Sequence, residues 1–302
     1  MQVSFKDKKP TLFLVATPIG NLEDITFRAI ETLKNVSVVF AEDTRTSGVL
    51  LKHYNIETKL SSYHEHEKFD KIANVLEYLN NGDDVALISD AGTPGISDPG
   101  YELVKAVIDN GYYVVSIPGA VASINALVSS GLLIQPHLFL GFLPRKQGEI
   151  NTFLDKYKKV DATLIIYESP FRISKTLEYI YKCYGNRDVV LARELTKVYE
   201  TIIRTDLETA ISMEHSNKGE YIILISGYVE EETSETIESL FNKYLKDNID
   251  EKEIFKLIAK DLNISKKDVY KKLKIDNKNL WYNSIELWLS EKARIAVLAF
   301  LF

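Results

Sequence analysis

Sulfur chemistry is nearly missing from this sequence. Its 302 residues include one cysteine, Cys183, and two methionines. A single thiol excludes a disulfide framework and any zinc site built on cysteines. It suits a reducing compartment, so a cytoplasmic protein is expected. Positive charge is short as well: Lys+Arg number 37 against 43 Asp+Glu, a formal net charge of -6. That balance excludes an overall basic field for gripping nucleic acid, though not a local basic patch. Long apolar runs are lacking too. No stretch is long enough to span a bilayer, and the apolar end from Ile295 to Phe302 is far too short. The segment from Met1 to Pro10 is polar and lysine-rich, unlike a secretory signal. No membrane partner is expected.

What remains is an ordinary globular composition, 45% hydrophobic and 26% charged. Short apolar runs alternate with amphipathic stretches. In the first half, residues 12–16, 36–41, 59–63, 84–89 and 113–117 read as strands. Helical patterns such as 27–33 and 72–79 lie between them. In the second half the strand candidates are 138–142, 163–167, 189–192, 199–204 and 221–226, with helical patterns at 148–157 and 173–183. Strands alternating with helices predict the α/β class and mostly parallel sheets. Two α/β domains are expected, residues 11–119 and 120–228, meeting near Pro118 to Ser123 with a cleft between them.

After Gly227 the character changes. The stretch from Glu230 to Glu238 holds five acids and no base, whereas Glu251 to Lys274 holds eight lysines against four acids. Within the latter, residues 254–261 and 267–273 have helical spacing, with Ser265 as an N-cap for the second helix. A small basic helix-turn-helix within residues 229–282 is a candidate RNA-binding region, with Lys266, Lys267 and Lys271 as contacts. A solvated helical pair would carry the same pattern. Residues 283–302 do not continue it and read as a tail of doubtful origin.

Chemistry concentrates at strand ends, where open α/β sheets bind ligands. After the fourth strand comes Ser-Asp-Ala-Gly-Thr-Pro-Gly-Ile-Ser-Asp-Pro-Gly, from Ser89 to Gly100. It lacks the Gly-Lys-Ser/Thr of a phosphate loop, which counts against a nucleotide hydrolase. Two carboxylates beside a phosphate would repel it by on the order of 1 kcal/mol each. Glycines allowing close backbone approach, with acids nearby, suit a cationic nucleoside, and S-adenosylmethionine fits. The expected cofactor wall is Asp90, Ala91, Gly92, Thr93, Pro94 and Ile96, joined by Pro118 and Gly119. Asp98-Pro99 reads as a helix start, with Asp98 as N-cap. His64 and His66 share a side of an extended chain, but no metal-spacing motif accompanies them and no metal is expected.

Strand ends of the second half are richer in base: Arg145, Lys146, Arg172, Arg193, Lys197 and Lys218. A cleft acidic on one wall and basic on the other would hold a cationic cofactor against a phosphate-bearing substrate. Phe142, Tyr167, Arg193, Gly219 and Glu220 complete the expected cofactor set. Arg145, Lys146 and Arg172, with His64, are the expected contacts to RNA phosphates.

Several stretches in order resemble the tetrapyrrole methylase superfamily, and within it the bacterial 16S rRNA ribose 2′-O-methyltransferases. They are TPIGNLEDITFRA (17–29), AEDTR (41–45), YHEHE (63–67), SDAGTPGISDPG (89–100), GFLPRK (141–146), ARELTKVYE (192–200) and KGE (218–220). The resemblance covers residues 12 to about 227 and, more weakly, the region to about Leu273. It implies two α/β domains with S-adenosylmethionine between them, and a homodimer. It also implies methylation of a cytidine ribose in the decoding centre of 16S rRNA, within the small ribosomal subunit. Phe171 stands where the family has histidine, and PGAVAS (118–123) replaces a commoner PGPSA. Two other readings are a C-methyltransferase of a corrin-type tetrapyrrole and a non-enzymatic RNA-binding assembly factor. Methyl transfer from a sulfonium needs in-line alignment and removal of a weakly acidic proton. The expected catalytic groups are Glu42, Asp43 and Arg45 on one side, and Glu194 and Lys197 on the other.

Overall fold

Apolar runs of four to six residues dictate two sheets. A computed structural model of the chain describes residues 2–6, 8–63, 68–98, 100–230, 236–246 and 249–276. The expected contact His64, the rest of 64–67, Pro99 and the tail at 283–302 lie outside the described residues.

The first sheet holds β1 (Thr11–Val15), β2 (Val38–Ala41), β3 (Lys59–Ser62), β4 (Val85–Ile88) and β5 (Tyr113–Ile117), in the order β3-β2-β4-β1-β5. Every pairing is parallel. The sequences Val-Val-Phe-Ala of β2 and Val-Ala-Leu-Ile of β4 are buried throughout, as central parallel strands covered on both faces must be. The edge strand β3, Lys-Leu-Ser-Ser, is mostly polar. The covers are α1 (Phe27–Asn35), α2 (Thr44–His53), α3 (Lys68–Asn80) and α4 (Tyr101–Asp109). One apolar cluster forms around Leu33, Val39, Ile88 and Ile117, and another around Leu12, Phe40, Leu87 and Leu103. Each such fully buried side chain contributes about 1.5–3 kcal/mol relative to exposure. The connections from β1 to β2 and from β4 to β5 leave in opposite directions although β1 and β4 are neighbours. That opens a crevice at their carboxyl ends.

The chain then enters α5 (Ala122–Ser130) and a second sheet, with β6 (His137–Phe142), α6 (Gln147–Asp155), β7 (Thr163–Glu168), α7 (Ile173–Tyr184), β8 (Asp188–Arg193), β9 (Thr201–Asp206), α8 (Leu207–Ser212) and β10 (Tyr221–Ile225). Its order is β6-β7-β10-β8-β9. Only β6 and β7 pair in parallel, so the expected repeat of a parallel sheet does not hold here. The connection from β8 to β9 is too short for a crossover, which forces an antiparallel pair, and β10 returns antiparallel between β7 and β8. Periodicity reports burial, not strand direction. Ala126 and Leu127 of α5 pack on one face of this sheet against Ile165, Val190 and Leu224. Leu154 of α6 and Leu177 and Ile180 of α7 pack on the other, against Leu164 and Ile223.

Residues from Glu230 onward form a separate unit. It contains α9 (Ile237–Lys246), α10 (Glu251–Asp261) and α11 (Lys266–Tyr270), which continues into a wide-turned segment, Lys271–Asp276. Leu240, Phe241, Ile254, Phe255, Ile258, Val269 and Leu273 make its core. Asp250 accepts the Lys252 N–H, and Ser265 accepts the Asp268 N–H, so both helices are capped by side chains. Lys266, Lys267 and Lys271 are exposed. No helix among the described residues is long and apolar enough to cross a membrane.

Candidate active site

A cavity of about 320 Å³ lies between the two sheets, within the size range of small-molecule sites. Its first wall comes from loops of the parallel sheet: Ile19, Glu42, Asp90 to Thr93, Ile96 and Asp98. Its second wall comes from Phe142, Tyr167, Glu168, Glu194, Lys197 and Glu220. The antiparallel β10 explains why these converge. Its first residue, Tyr221, pairs with Glu168 on one side and Arg193 on the other, so β7 and β8 end where β10 begins.

The first wall is tied together by backbone. Thr17 and Gly92 exchange two hydrogen bonds, at 2.9 and 3.1 Å. The Thr93 hydroxyl donates to the Ala120 carbonyl at 3.1 Å, and the Asp43 N–H donates to Asp90 at 3.1 Å. Gly92 has φ +82°, and a Cβ there would lie 3.2 Å from Ile19 and 3.4 Å from the Ala120 carbonyl. The left-handed conformation calls for glycine, and a Cβ would also sit tightly against both neighbours. Pro94, Pro118 and Gly119 are not in the lining. Gly119 packs against the end of β1 instead, since a Cβ there would meet that of Ala16 at 2.7 Å.

Asp98 corrects an expectation. Gly100 is the N-cap residue of α4, and no side chain caps that helix. Asp98 instead reaches the cavity, beside the buried hydroxyl of Ser89. Burial, then the nearby charges of Asp90 and Glu220, raise its carboxyl above the ordinary range against the opposing pull of Ser89.

The second wall centres on an ion pair. The Lys197 ammonium donates to the Glu194 carboxylate at 2.9 Å. Their loop is strained: Glu194 has φ 52° and Thr196 has φ 65°, and the buried Thr196 hydroxyl has no partner. Two glycines make room for the pair. A Cβ at Gly20 would lie 2.5 Å from Cγ of Lys197, and a Cβ at Gly219 would lie 2.6 Å from Cγ of Glu194. The hydrogen bond from Lys197 lowers the Glu194 carboxyl below its usual range, outweighing partial burial.

Neighbouring polar groups hold the frame. Glu168 is buried, and accepts from Thr176 at 2.7 Å and from the Ser169 N–H at 2.8 Å, with Arg172 at 3.5 Å. Arg172 in turn donates to the Pro144 carbonyl at 2.9 Å, tying the loop after β7 to the loop after β6. Arg193 donates to the Lys218 carbonyl at 3.1 Å. The Tyr167 hydroxyl accepts the Ser123 N–H at 3.0 Å in the first turn of α5. Phe142 meets the Tyr167 ring edge-on, 5.7 Å between centroids.

The expected basic wall is therefore absent from this cavity: its lining holds six carboxylates and one ammonium, that of Lys197. Arg172 and Arg193 serve the frame. Arg145 and Lys146 are exposed beyond the lining, with Lys146 paired to Glu149 at 3.2 Å. Asp43 and Arg45 also lie outside the lining. Asp43 caps α2 through the Arg45 N–H at 2.8 Å, and its pairing with the Arg45 side chain lowers its carboxyl to about 2. Of the other expected residues, Glu42, Asp90, Ala91, Gly92, Thr93, Ile96, Phe142, Tyr167, Glu194, Lys197 and Glu220 do line the cavity. Lys266, Lys267 and Lys271 belong to the separate helical unit. Sequence reasoning passed over Gly20, Asp98 and Glu168. Asp98 was hidden by a good capping pattern, and Glu168, the last residue of β7, by a strand-end stretch read for its basic member Arg172.

Residues 11–211 match the family described as Tetrapyrrole (Corrin/Porphyrin) Methylases. Ribosomal RNA small subunit methyltransferase I of Streptococcus pyogenes serotype M3 is 46% identical over 279 residues, covering 89% of this chain and 97% of that protein. The protein of the same name from Bacillus subtilis is 43% identical over 281 residues, covering 89% and 96%. Among solved structures, cobalt precorrin-4 methyltransferase superposes with a TM-score of 0.55 at 17% identity, covering 72% of this chain and 94% of that one. Diphthine synthase superposes with a TM-score of 0.59 at 13% identity, covering 74% and 92%. Those two likenesses show a shared fold. Matched over most of its length in both comparisons of sequence, this chain belongs to the tetrapyrrole methylase family and, within it, to the ribosomal RNA small subunit methyltransferase I group.

Proposed function

We propose that this methyltransferase transfers a methyl group from S-adenosylmethionine to the ribose 2′-hydroxyl of a cytidine in 16S rRNA, at the decoding centre of the small ribosomal subunit. The observation that carries the reading is the Glu194–Lys197 pair at the wall of an acidic, glycine-lined cavity, in a chain whose relatives are named for small-subunit rRNA methylation. The residues fit the cofactor: Gly92 leaves room that a Cβ would fill, Phe142 and Tyr167 offer aromatic surface, and carboxylates face a cation. When bound, S-adenosylmethionine supplies an electrophilic methyl group on positively charged sulfur.

The chain's own residues then have distinct work. Lys197, held in place by Glu194, steadies the ribose oxygen as its proton leaves. Glu194 itself, with its carboxyl held below the usual range, is a poor proton acceptor, and Asp43 at about 2 is poorer still. Of the three expected carboxylates, Glu42, which lines the opposite wall, is the one we assign as acceptor. Arg145, Lys146 and the exposed lysines Lys266, Lys267 and Lys271 contact RNA phosphates. The cofactor is held by the Asp90 to Ile96 loop and the second-wall aromatics, with Pro118, Gly119 and Gly219 shaping the backbone around it.

A homodimer is part of the proposal. Ile124 and Val128 on α5, followed by Leu133, Ile134 and Leu138, are exposed apolar side chains within fifteen residues of chain. Such a patch suits a second copy. Sedimentation of a Val128→Glu, Leu133→Glu variant as a monomer supports it, and a monomeric native protein overturns it. The activity is tested by labelled methyl transfer to small subunits that lack the modification, followed by nucleoside analysis. Label in 2′-O-methylcytidine is expected. Label in a base, or in no nucleoside, overturns the reading.

A further inference from the structure

The cavity holds more negative charge than its own bases can answer. Glu42, Asp90, Asp98, Glu168, Glu194 and Glu220 face a single lysine. Glu194 is matched by Lys197 at 2.9 Å and Glu168 by Arg172 at 3.5 Å. Among the described residues no salt bridge reaches Asp90, Asp98 or Glu220. Arg45 lies near enough to Asp90 to feel its charge, but its guanidinium is taken by Asp43 at 2.8 Å.

Asp98 stands where these charges meet. It comes from the loop before α4, whereas Glu220 comes from the opposite sheet at the start of β10. The charge of Glu220 reaches Asp98 across the cavity, and burial first, then the charges of both, raise the phenol of Tyr167. Asp98 is half-buried, whereas Asp90 and Glu220 are exposed at the mouth of the cavity, so the cost of crowding negative charge falls on Asp98 unless something relieves it. A cation between them does so, and in a partly enclosed site its attraction exceeds the value in open water.

Resting on the proposed cofactor, we infer that Asp98, together with Asp90 and Glu220, makes the cleft select the positively charged methyl donor over the neutral thioether left behind after transfer. Donor and by-product share the adenosine and the amino-acid end. They differ by one methyl group and one positive charge, on the sulfur. Shape can separate two such ligands by one methyl group, about 1–3 kcal/mol, and that part does not change when a carboxylate is neutralised. The charge term separates them strongly, and it vanishes at the moment the methyl group leaves. The same three carboxylates that draw the donor in therefore release the by-product, and the cleft resists product inhibition.

Calorimetry on the full chain at neutral pH tests this with three probes: S-adenosylmethionine, S-adenosylhomocysteine, and sinefungin, which carries an ammonium in place of the sulfonium. The two cationic ligands are expected to bind at least about tenfold more tightly than S-adenosylhomocysteine, equivalent to about 1.4 kcal/mol. Asp98→Asn is expected to shrink that ratio to about threefold by weakening the cationic ligands while leaving S-adenosylhomocysteine unchanged. Glu220→Gln is expected to act in the same direction, and it stands in should Asp98→Asn fail to melt cooperatively. Equal affinity for donor and by-product in the native protein overturns the inference, as does a preference that survives both substitutions. Loss of binding for all three probes is a separate result, since it removes the cofactor reading itself.

Discussion

Gly20→Ala is the sharpest probe of the site, because it moves Lys197 without touching its chemistry. A Cβ at residue 20 would lie 2.5 Å from Cγ of Lys197, 2.8 Å from the Leu195 carbonyl and 2.8 Å from the Thr196 hydroxyl. Ordinary contact begins near 3.5 Å, so the loop must retreat by about 1 Å. Two of the three neighbours cannot yield cheaply. One is backbone, and the other belongs to a residue already at φ 65°. Gly20 itself has no left-handed φ, so alanine adds no backbone strain of its own there. The penalty falls on the Glu194–Lys197 loop alone. Overpacking of this kind costs about 1–3 kcal/mol of stability. A displacement of about 1 Å at a reacting centre costs about 100-fold in rate. The assay is labelled methyl transfer to unmodified small subunits under single-turnover conditions, with cofactor affinity measured separately and a cooperative melt confirming the fold. We expect the rate to fall by about 100-fold while cofactor affinity stays within about threefold. A folded variant transferring methyl at the native rate would refute the placement of Lys197 at the reacting oxygen.

The other predictions concern single groups. Lys197→Ala and Glu194→Gln, made separately, should each cut turnover by about 100-fold or more with little change in cofactor binding; near-native rates for both would remove the pair from the chemistry. Asp90→Ala should weaken cofactor binding in calorimetry, since its carboxylate both lines the cavity and anchors the Asp43 N–H, and unchanged affinity would contradict the assignment. Asp98→Asn should raise the melting temperature at neutral pH by roughly 1–3 °C. The sign follows from its raised carboxyl: the folded state keeps this proton to higher pH than the unfolded state, so ionisation opposes folding as pH climbs from about 4 through the folded value. The gain should disappear in melts at low pH. Thr176→Val should destabilise the fold by about 1–3 kcal/mol, because buried Glu168 loses its 2.7 Å donor, and a melt unchanged from the native protein would count against that account.

How far the sequence could be read depended on which physical signal a residue carries. The unbroken apolar runs of β2 and β4 announced strands, and both are strands buried throughout. The Gly-rich loop after β4 stood out as a candidate site and does line the cavity, because positive φ and close approach leave a compositional trace, as at Gly92. Strand direction leaves none, so β10 was read as one more parallel strand although it runs antiparallel to both neighbours. Charge at a strand end was equally ambiguous. Arg172 and Lys197 both follow strands of the second sheet, yet one clasps two loops through backbone carbonyls and the other lines the cavity. Only the partner each finds in space separates them. Asp98 shows the same limit from the other side. Asp-Pro ahead of a helical pattern is a sound capping signature, but a residue that can satisfy a local rule is not obliged to.

Several departures from local rules gather at the cavity. Glu194 and Thr196 adopt left-handed backbone, the Thr196 hydroxyl is buried without a partner, two glycines give up a side chain to the Glu194–Lys197 pair, and Asp98 faces two other carboxylates. Each of these weakens the fold. None sits in the sheets, where Leu12, Phe40, Leu164 and Ile165 are fully buried in regular strands. A stable frame with strain confined to its loops is what a site needs if its groups must be held where they would not settle on their own. The arrangement also explains why the loops on the two walls must come from different sheets. A carboxylate cluster drawn from one loop could relax by moving apart along the chain. Asp98 and Glu220 come from loops on opposite walls, so that relaxation is closed to them, and the proposed cationic ligand is what would offset the charge of Glu220 at Asp98.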